Sequence, residues 1–359
     1  MDQVTVPPQI GAGGVRRGAE VATKAAVQVP ARALARAGAW GSARNRAERS
    51  ARVAARGGGR AARRVAVGVA VLAAVVTLLA GNVQATTRLE EVEHLFPLHA
   101  GETLSIRGMN GSIAVAPWNG DGVRIMVTKE ARAPAEFLAA WADRLVELEA
   151  ERHEGGVRAG ARGWGLLGFG NVSVHYRVLV PQAWEGRLEL GTSNGDVTVE
   201  RLRGEAEVRT ANGDIAVAGY TGSLRLRTAN GGIEVADSEV VLLAESSNGP
   251  LRVLRSVVRE AGELRTSNQS IEFDAALSPG SSYELTTSNG PIRLTLHNPD
   301  VVLDLVTGNG SIDLRTDVAA TRREGRRLIG QIGDGSSRLA ARTSNGTITL
   351  DQGETLLSP

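Results

Sequence analysis

Residues 192–220 read TSNGDVTVERLRGEAEVRTANGDIAVAGY and state one pattern twice: Thr192-Ser193-Asn194-Gly195-Asp196-Val197 returns as Thr210-Ala211-Asn212-Gly213-Asp214-Ile215. Asn-Gly or a close variant stands at Asn110, Asn194, Asn212, Asn230, Asn248, Asn268, Asn289, Asn309 and Asn345. From Asn194 the intervals are 18, 18, 18, 20, 21, 20 and 36. Self-similarity at a short fixed period is the mark of a stacked repeat architecture. The last interval, twice eighteen, reads as one rung that has lost its signature within TRREGRRLIGQIGDGSS, where a basic loop is also inserted.

Inside each unit the apolar residues alternate. Leu224, Leu226, Thr228 and Asn230 share one parity, Gly231-Gly232 resets it, and Ile233 and Val235 resume. Period two predicts strands, two or three short ones per unit, and Asn-Gly reads as a corner because both residues tolerate positive φ. One unit could not stand alone. Its few inward aliphatics contribute on the order of 1.5–3 kcal/mol each, while ordering its residues costs roughly 1–2 kcal/mol apiece. Stacking unit on unit supplies the missing hydrogen bonds and a continuous core, which is the logic of a β-solenoid. A propeller blade needs about 40 residues, so the period argues against one.

Equivalent positions in a stacked coil lie about 4.8 Å apart. Asn194, Asn212, Asn230, Asn248, Asn268, Asn289, Asn309 and Asn345 are therefore expected to form a structural amide ladder on the inward parity. The Thr two residues before each Asn should do likewise through its hydroxyl. A ligand-binding row of amides is the alternative reading. Four residues after the Asn, the column Glu234, Arg252, Glu272, Arg293, Asp313 alternates in sign. In-register neighbours favour that alternation, whereas a polyanion-binding stripe would need like charges in line.

Composition sets the outer limits. The 359 residues include 44 Gly, 3% aromatics and no cysteine, so the core must be aliphatic and turn-rich, without disulfides, thiolate nucleophiles or cysteine-bound metals. The net charge of +2 hides an asymmetry: residues 1–64 carry +10, which leaves −8 for the rest. That Ala/Arg/Gly-rich stretch reads as a disordered basic leader, or as an upstream start assigned too early, and its lack of stacking aromatics speaks against a nucleic-acid arm.

An uninterrupted apolar run, VAVGVAVLAAVVTLLA, follows Arg63-Arg64, and Val83 and Ala85 occupy the small-residue positions of a cleavage site. Residues 65–85 are thus a signal or transmembrane segment. The basic flank holds its N-terminal side in the cytoplasm and sends everything after residue 85 outside. The product is membrane-anchored through 65–83 if uncleaved and secreted if cut after Ala85.

Residues 97–131 contain a first copy of the motif, Asn110-Gly111-Ser112-Ile113-Ala114-Val115. A short helix on Phe137, Leu138 and Trp141, followed by a hairpin around Gly155-Gly156, makes an insertion over about 132–170, and NVSVHYRVLVP (171–181) re-enters the coil. With NGSIAV, VHYRVLVP, the serial TSNGDVTV, TANGDIAV, TANGGIEV, TSNGPIRL, GNGSIDL and the closing GDGSSRLAARTSNGTITL, the chain resembles the "putative adhesin" family of exported bacterial β-strand-repeat proteins. The resemblance implies a β-solenoid over 86–350, with 351–359 as a tail, and assigns no activity. The usual member of that family starts close to its signal segment, so the long leader departs from the pattern.

Chemistry is sparse. His94, His99, His153, His175 and His297 show no metal-ligand spacing; GLLGFG (165–170) lacks the strand, helix and lysine of a phosphate loop; no serine lies in Gly-x-Ser-x-Gly. Asp196 and Asp214 stack at equivalent corners, but Gly232, Pro250, Ser270 and Pro291 follow them there, so turn chemistry is a better reading than the paired carboxylates of a polysaccharide-active enzyme. The sequence therefore predicts an all-β, single-chain β-solenoid with rungs of about 18–21 residues, a small helix/hairpin insertion and an N-terminal membrane segment. It is expected to be non-enzymatic, to need no cofactor or metal, and to contact an envelope or surface polymer or protein as a monomer. A polymerising envelope scaffold is the competing class.

Overall fold

The computed structural model describes residues 86–133, 146–163 and 171–354. The basic leader, the apolar segment 65–85, the helix expected at Phe137–Trp141, the glycine loop 165–170 and residues 355–359 lie outside the described residues. Among those described, every regular element is a strand, 24 in all, and no helix is long and apolar enough to cross a membrane.

The chain enters on β1 (Thr86–Pro97), makes a first rung from β2 (Thr103–Arg107) and β3 (Ile113–Trp118), and turns back in β4 (Gly122–Ala133), antiparallel to β1 along its length. The expected hairpin is β5 (Val146–His153) and β6 (Gly156–Gly163). After it, β7 (Asn171–Pro181) runs parallel to β3 and antiparallel to β4, while β6 runs parallel to β2. The β6/β7 rung thus stacks outside the first one although it comes later in sequence.

The middle is regular. Here β8 (Glu185–Gly191) and β9 (Val197–Glu200) stack in register on β2 and β3. They are followed by β10 (Arg203–Arg209), β11 (Ile215–Ala218), β12 (Thr221–Thr228), β13 (Ile233–Ala236) and β14 (Glu239–Ser246), and then by the long β15 (Leu251–Arg265). Even-numbered strands pair in one sheet, and β9, β11, β13 and the first half of β15 in the other. With two strands per turn the coil is two-sided. Leu188, Leu190, Leu224 and Leu226 from one sheet face Val197, Val199, Ile233 and Val235 from the other, all buried. Each fully buried aliphatic of this kind contributes about 1.5–3 kcal/mol.

The longer intervals have local causes. Val240 pairs with Val258 but Leu242 with Gly262, so β15 carries a bulge of extra residues around Glu260, whose φ is 56°. One turn on, the register of β15 against β16 (Ile271–Leu277) shifts between Val253 and Ser256. There the loop before β17 (Ser282–Thr287) is pinned by the Tyr283 hydroxyl, which donates to Val258 O at 2.7 Å and accepts from Ser278 N at 2.9 Å.

At the far end the order departs from expectation. After β18 (Ile292–His297) come β19 (Val301–Thr307) and β20 (Ile312–Leu314), a hairpin β21 (Ala319–Glu324) and β22 (Arg327–Ile332), and finally β23 (Ser337–Thr343) and β24 (Ile348–Gly353). The last rung slots inside: β23 lies between β17 and β19, and β24 between β18 and β20. No rung has lost its signature. The segment read as one is the β21/β22 hairpin, whose β22 closes the sheet antiparallel on β19. The strand β24 that ends the described chain is thus paired on both sides. The sign column changes accordingly: Arg252 lies 3.8 Å from both Glu234 and Glu272, but Arg293 neighbours Thr349, and Asp313 comes after it.

At the first end both sheets finish in antiparallel strands, β1/β4 and β5/β6; at the other, one sheet finishes in the β21/β22 hairpin and the second in the three-residue parallel strand β20. Unpaired strand edges are templates for aggregation, and a very short strand such as β20 or a charged one such as β21 blunts them. At the first end Arg152, on β5, donates to Pro97 O at 2.6 Å and to Glu102 Oε1 at 2.7 Å, which ties the hairpin to the body. That guanidinium holds the Glu102 carboxyl down to about 2.

Candidate functional site: the asparagine edge

Each turn of the coil passes from one sheet to the other through the Thr-x-Asn-Gly corner. Each amide donates Nδ2 to the Oδ1 of the Asn in the rung before it: Asn194 to Asn110 at 2.5 Å, Asn212 to Asn194 at 2.6 Å, Asn230 to Asn212 at 2.7 Å and Asn248 to Asn230 at 2.8 Å. The row continues from Asn268 to Asn248 at 2.7 Å, Asn289 to Asn268 at 3.0 Å, Asn345 to Asn289 at 2.8 Å and Asn309 to Asn345 at 2.8 Å. The swapped rungs thus put Asn345 before Asn309.

Two features differ from the sequence expectation. The repeated amides from Asn194 onward face solvent, so the row runs along the outside of one edge. The buried member of the corner is the hydroxyl, and it does not ladder to other hydroxyls. Thr210 Oγ1 donates to Gly195 O at 3.1 Å and accepts from its own Gly213 N at 3.2 Å; Thr228 repeats this with Gly213 O and Gly231 N at 3.0 and 3.2 Å, and Ser246 with Gly231 O and Gly249 N, both at 2.9 Å. Alternation carries Thr and Asn on one parity only as far as the strand persists. The corner begins between them, so the amide turns outward.

Why glycine follows each Asn is also different. None of Gly195, Gly213, Gly231 or Gly249 has positive φ. A Cβ on Gly213 would instead fall well inside the van der Waals radius of Gly195 O, and the same clash recurs from Gly231 to Gly213 and from Gly249 to Gly231. Close approach of stacked backbones is the demand that only glycine meets.

The ladder is directional, which leaves an unpaired Oδ1 at its far end, on Asn309. Arg326, in the turn of the β21/β22 hairpin, donates to that oxygen at 3.3 Å and also bonds Gly308 O. A cation at the carbonyl end of a row of aligned amide dipoles is the favourable sign, as at a helix C-terminus. The sequence signalled only a basic loop there, with no hint of which arginine would reach the ladder.

The acidic corner pair does turn chemistry. Asp196 Oδ1 accepts from Asp214 N at 2.9 Å, and Asp214 Oδ1 from Gly232 N at 2.7 Å. In the first rung His175 Nδ1 takes that place, accepting from Ser112 N at 3.2 Å. Among the other histidines, His297 bonds Asp274 and the Glu354 carbonyl, His153 accepts from Gly155 N at 3.1 Å, and His94 stacks on Phe96, where burial lowers its pKa. Among the described residues no three His, Cys, Asp or Glu side chains are grouped to hold a metal. An open groove of about 400 Å³ lies on the outer face of β10, β12, β14 and the β15 bulge, floored by Val241 and Leu243 and rimmed by Glu207, Arg225 and Glu263. Its groups do not converge on a point as a catalytic constellation would.

The molecule is therefore an all-β repeat domain of stacked two-strand rungs. Residues 102–351 match the family described as Toastrack DUF4097. The chain belongs to that family. Comparison with curated proteins finds no match. Among solved structures, a "putative adhesin" from Parabacteroides distasonis is 14% identical with a TM-score of 0.40, covering 75% of this chain and 98% of that one. A "putative lipid binding protein" from the same organism is 12% identical with a TM-score of 0.38, covering 75% and 97%. A "putative cell adhesion protein" from Clostridium sporogenes is 10% identical with a TM-score of 0.26, covering 74% and 100%.

Proposed function

We propose that residues 86–350 are an exported, non-enzymatic module of the cell envelope that works by surface contact with an envelope or surface polymer or protein. The carrying observation is the division of the surface: the end strands are short or charged, while the lateral faces are long, regular and exposed. Those faces are charged but internally compensated, as by Arg187 with Glu189, Glu205 and Glu207. Such a surface suits an extended partner laid along the coil better than a small ligand in a pocket. The apolar segment 65–85, placed after a basic stretch, supports delivery outside the cytoplasm.

Protease treatment of intact cells and spheroplasts tests the location. Digestion of 86–350 while a cytoplasmic marker survives is expected; protection of both would sink the proposal. Short or charged end strands also favour a monomer over a polymerising scaffold, since growth would need edges open to strand pairing. Light scattering across a concentration series should give a constant mass, and concentration-dependent filaments would reverse that assignment.

A further inference from the structure

An Asn-Gly sequence on a protein surface is chemically unstable. The main-chain nitrogen of the glycine, having lost its proton to solvent base, attacks the Asn Cγ; the bond to the side-chain nitrogen breaks and ammonia leaves. The resulting five-membered succinimide is opened by water to aspartate or isoaspartate. Asn is among the residues depleted in heat-adapted proteins for such lability. A chain that exposes eight Asn-Gly corners outside a membrane, beyond ready replacement, would be expected to age quickly.

The corners differ in one respect that bears directly on this step. In six of them the attacking nitrogen is already engaged. The N–H groups of Gly213, Gly231, Gly249, Gly290, Gly310 and Gly346 donate to the hydroxyl three residues earlier, at 2.9 to 3.3 Å. Those hydroxyls belong to Thr210, Thr228, Ser246, Thr287, Thr307 and Thr343, and all are buried. To attack, the nitrogen must abandon a bond that water cannot readily replace. The one ladder corner that is not Asn-Gly is at Asn268, which precedes Gln269, whose side chain hinders ring closure.

The first two corners lack the device. At Asn194 the Thr192 hydroxyl donates to Gly111 O at 3.2 Å, as its counterparts do to the glycine of the preceding rung, and to Met109 O at 3.4 Å, but it accepts no bond from Gly195 N. At Asn110 the residue three before Gly111 is Gly108, which has no hydroxyl to offer. We infer that Asn110 and Asn194 are sites of spontaneous deamidation, and that the buried hydroxyl column keeps the remaining Asn-Gly corners unmodified. Conversion at Asn194 leaves a carboxylate that still accepts from Asn212 but has no N–H for Asn110. The isoaspartate form adds a backbone carbon to a rung that must stay in register.

The test is incubation of the full-length protein at mildly alkaline pH, with each site followed by mass spectrometry of its proteolytic peptide. Asn119-Gly120, in the exposed turn between β3 and β4, serves as an unprotected reference. Asn110 and Asn194 should convert with Asn119, on the order of tenfold faster than Asn212, Asn230 and Asn248, the factor that about 1.4 kcal/mol of barrier represents. Thr228→Val should bring Asn230 up toward the Asn194 rate, whereas Thr228→Ser should leave it protected, as Ser246 protects Asn248. Equal conversion of Asn194 and Asn230 in the folded wild type overturns the inference, as does a folded Thr228→Val protein whose Asn230 stays intact. If Thr228→Val does not fold, the ratio of sites within the wild type decides alone.

Discussion

The coil has two corners per turn, and they are built on opposite plans. At the Asn-Gly corner the backbone is ordinary and the contacts between rungs are exacting: glycine against glycine, hydroxyl to carbonyl, amide to amide. At the other corner the rungs are joined mainly through the backbone, as by Arg201 N to Ala218 O at 2.8 Å and Gly219 N to Ala236 O at 3.0 Å, and the backbone itself is unusual. Arg201, Gly219, Asp237 and Arg255 follow one another at eighteen-residue spacing, and all have positive φ, at 50°, 64°, 51° and 46°. The first corner repeats its sequence because every rung must present the same atoms to its neighbours. The second repeats only a conformation, which several residue types reach at a modest cost. Sequence periodicity in this fold thus records inter-rung contact, not turn geometry.

The sharpest way to break this contrast is to put alanine into each corner. Gly213→Ala drives a Cβ into a carbonyl held by ladders on both sides, and a loss at or above about 3 kcal/mol is expected, the upper end for overpacking. Gly219→Ala comes closest to the Cγ of the flexible Arg201 side chain, at 3.1 Å, with backbone no nearer than 3.6 Å, and should cost about 1–2 kcal/mol for the left-handed backbone. Urea denaturation of both variants decides: similar losses would mean that close approach does not set the first corner apart.

Within the Asn-Gly corner, buried and exposed members should separate next. Thr228→Val is nearly isosteric but strips Gly213 O of a donor and the buried Gly231 N–H of its acceptor. It should cost about 1–3 kcal/mol. Asn230→Ala removes two amide bonds that water can replace, so about 0.5–1.5 kcal/mol is expected. A thermal melt in which Asn230→Ala falls as far as Thr228→Val would return the ladder to the inward role that alternation alone suggested.

That comparison also marks what could be read from the residues. Strand parity, the eighteen-residue period and the Asn neighbours were visible because each leaves a periodic trace. The swap of β23/β24 inside β19/β20 was not, since the repeat gives every rung the same interface and does not state which rung is adjacent. TRREGRRLIGQIGDGSS looked like a degraded rung because a hairpin strand alternates just as a rung strand does. Arg326 as the cap of the ladder depended on that hairpin and so was hidden with it. The positive-φ position of the second corner left no trace, because Arg, Gly and Asp share no side-chain chemistry, only a backbone they can all adopt.

Acid should set the Asn edge apart in another way. The Asn ladder contains no titrating group, whereas the turn before β2 holds Glu102, whose carboxyl the Arg152 guanidinium lowers from 4.5 to about 2. A carboxylate with a depressed folded pKa stabilises above its unfolded pKa, and that contribution is lost as pH falls toward the folded one. Between about pH 4.5 and 2 the β5/β6 hairpin should lose hydrogen-exchange protection while the Asn edge keeps it. Glu102→Gln should flatten the dependence at the hairpin; an unchanged slope in that variant would assign the acid sensitivity to other carboxylates.

The smallest expected effect is a gain. Arg201 occupies the left-handed region at φ 50°, where the Cβ of an L-residue is crowded by its own carbonyl. Its side chain reaches Glu200 at 3.8 Å with most of its surface exposed, a pair of the kind that contributes little. Glycine at this position removes the crowding, as Gly219 already does one rung later, but the unfolded chain gains freedom that folding must then remove. The two terms nearly cancel, leaving Arg201→Gly neutral to stabilising by a few tenths of a kcal/mol, up to about 1. The same exchange in the other direction at the Asn-Gly corner is forbidden by sterics. A denaturation midpoint clearly below wild type for Arg201→Gly would show that the arginine side chain, and not the backbone alone, holds the second corner, and the contrast between the two plans would have to be redrawn.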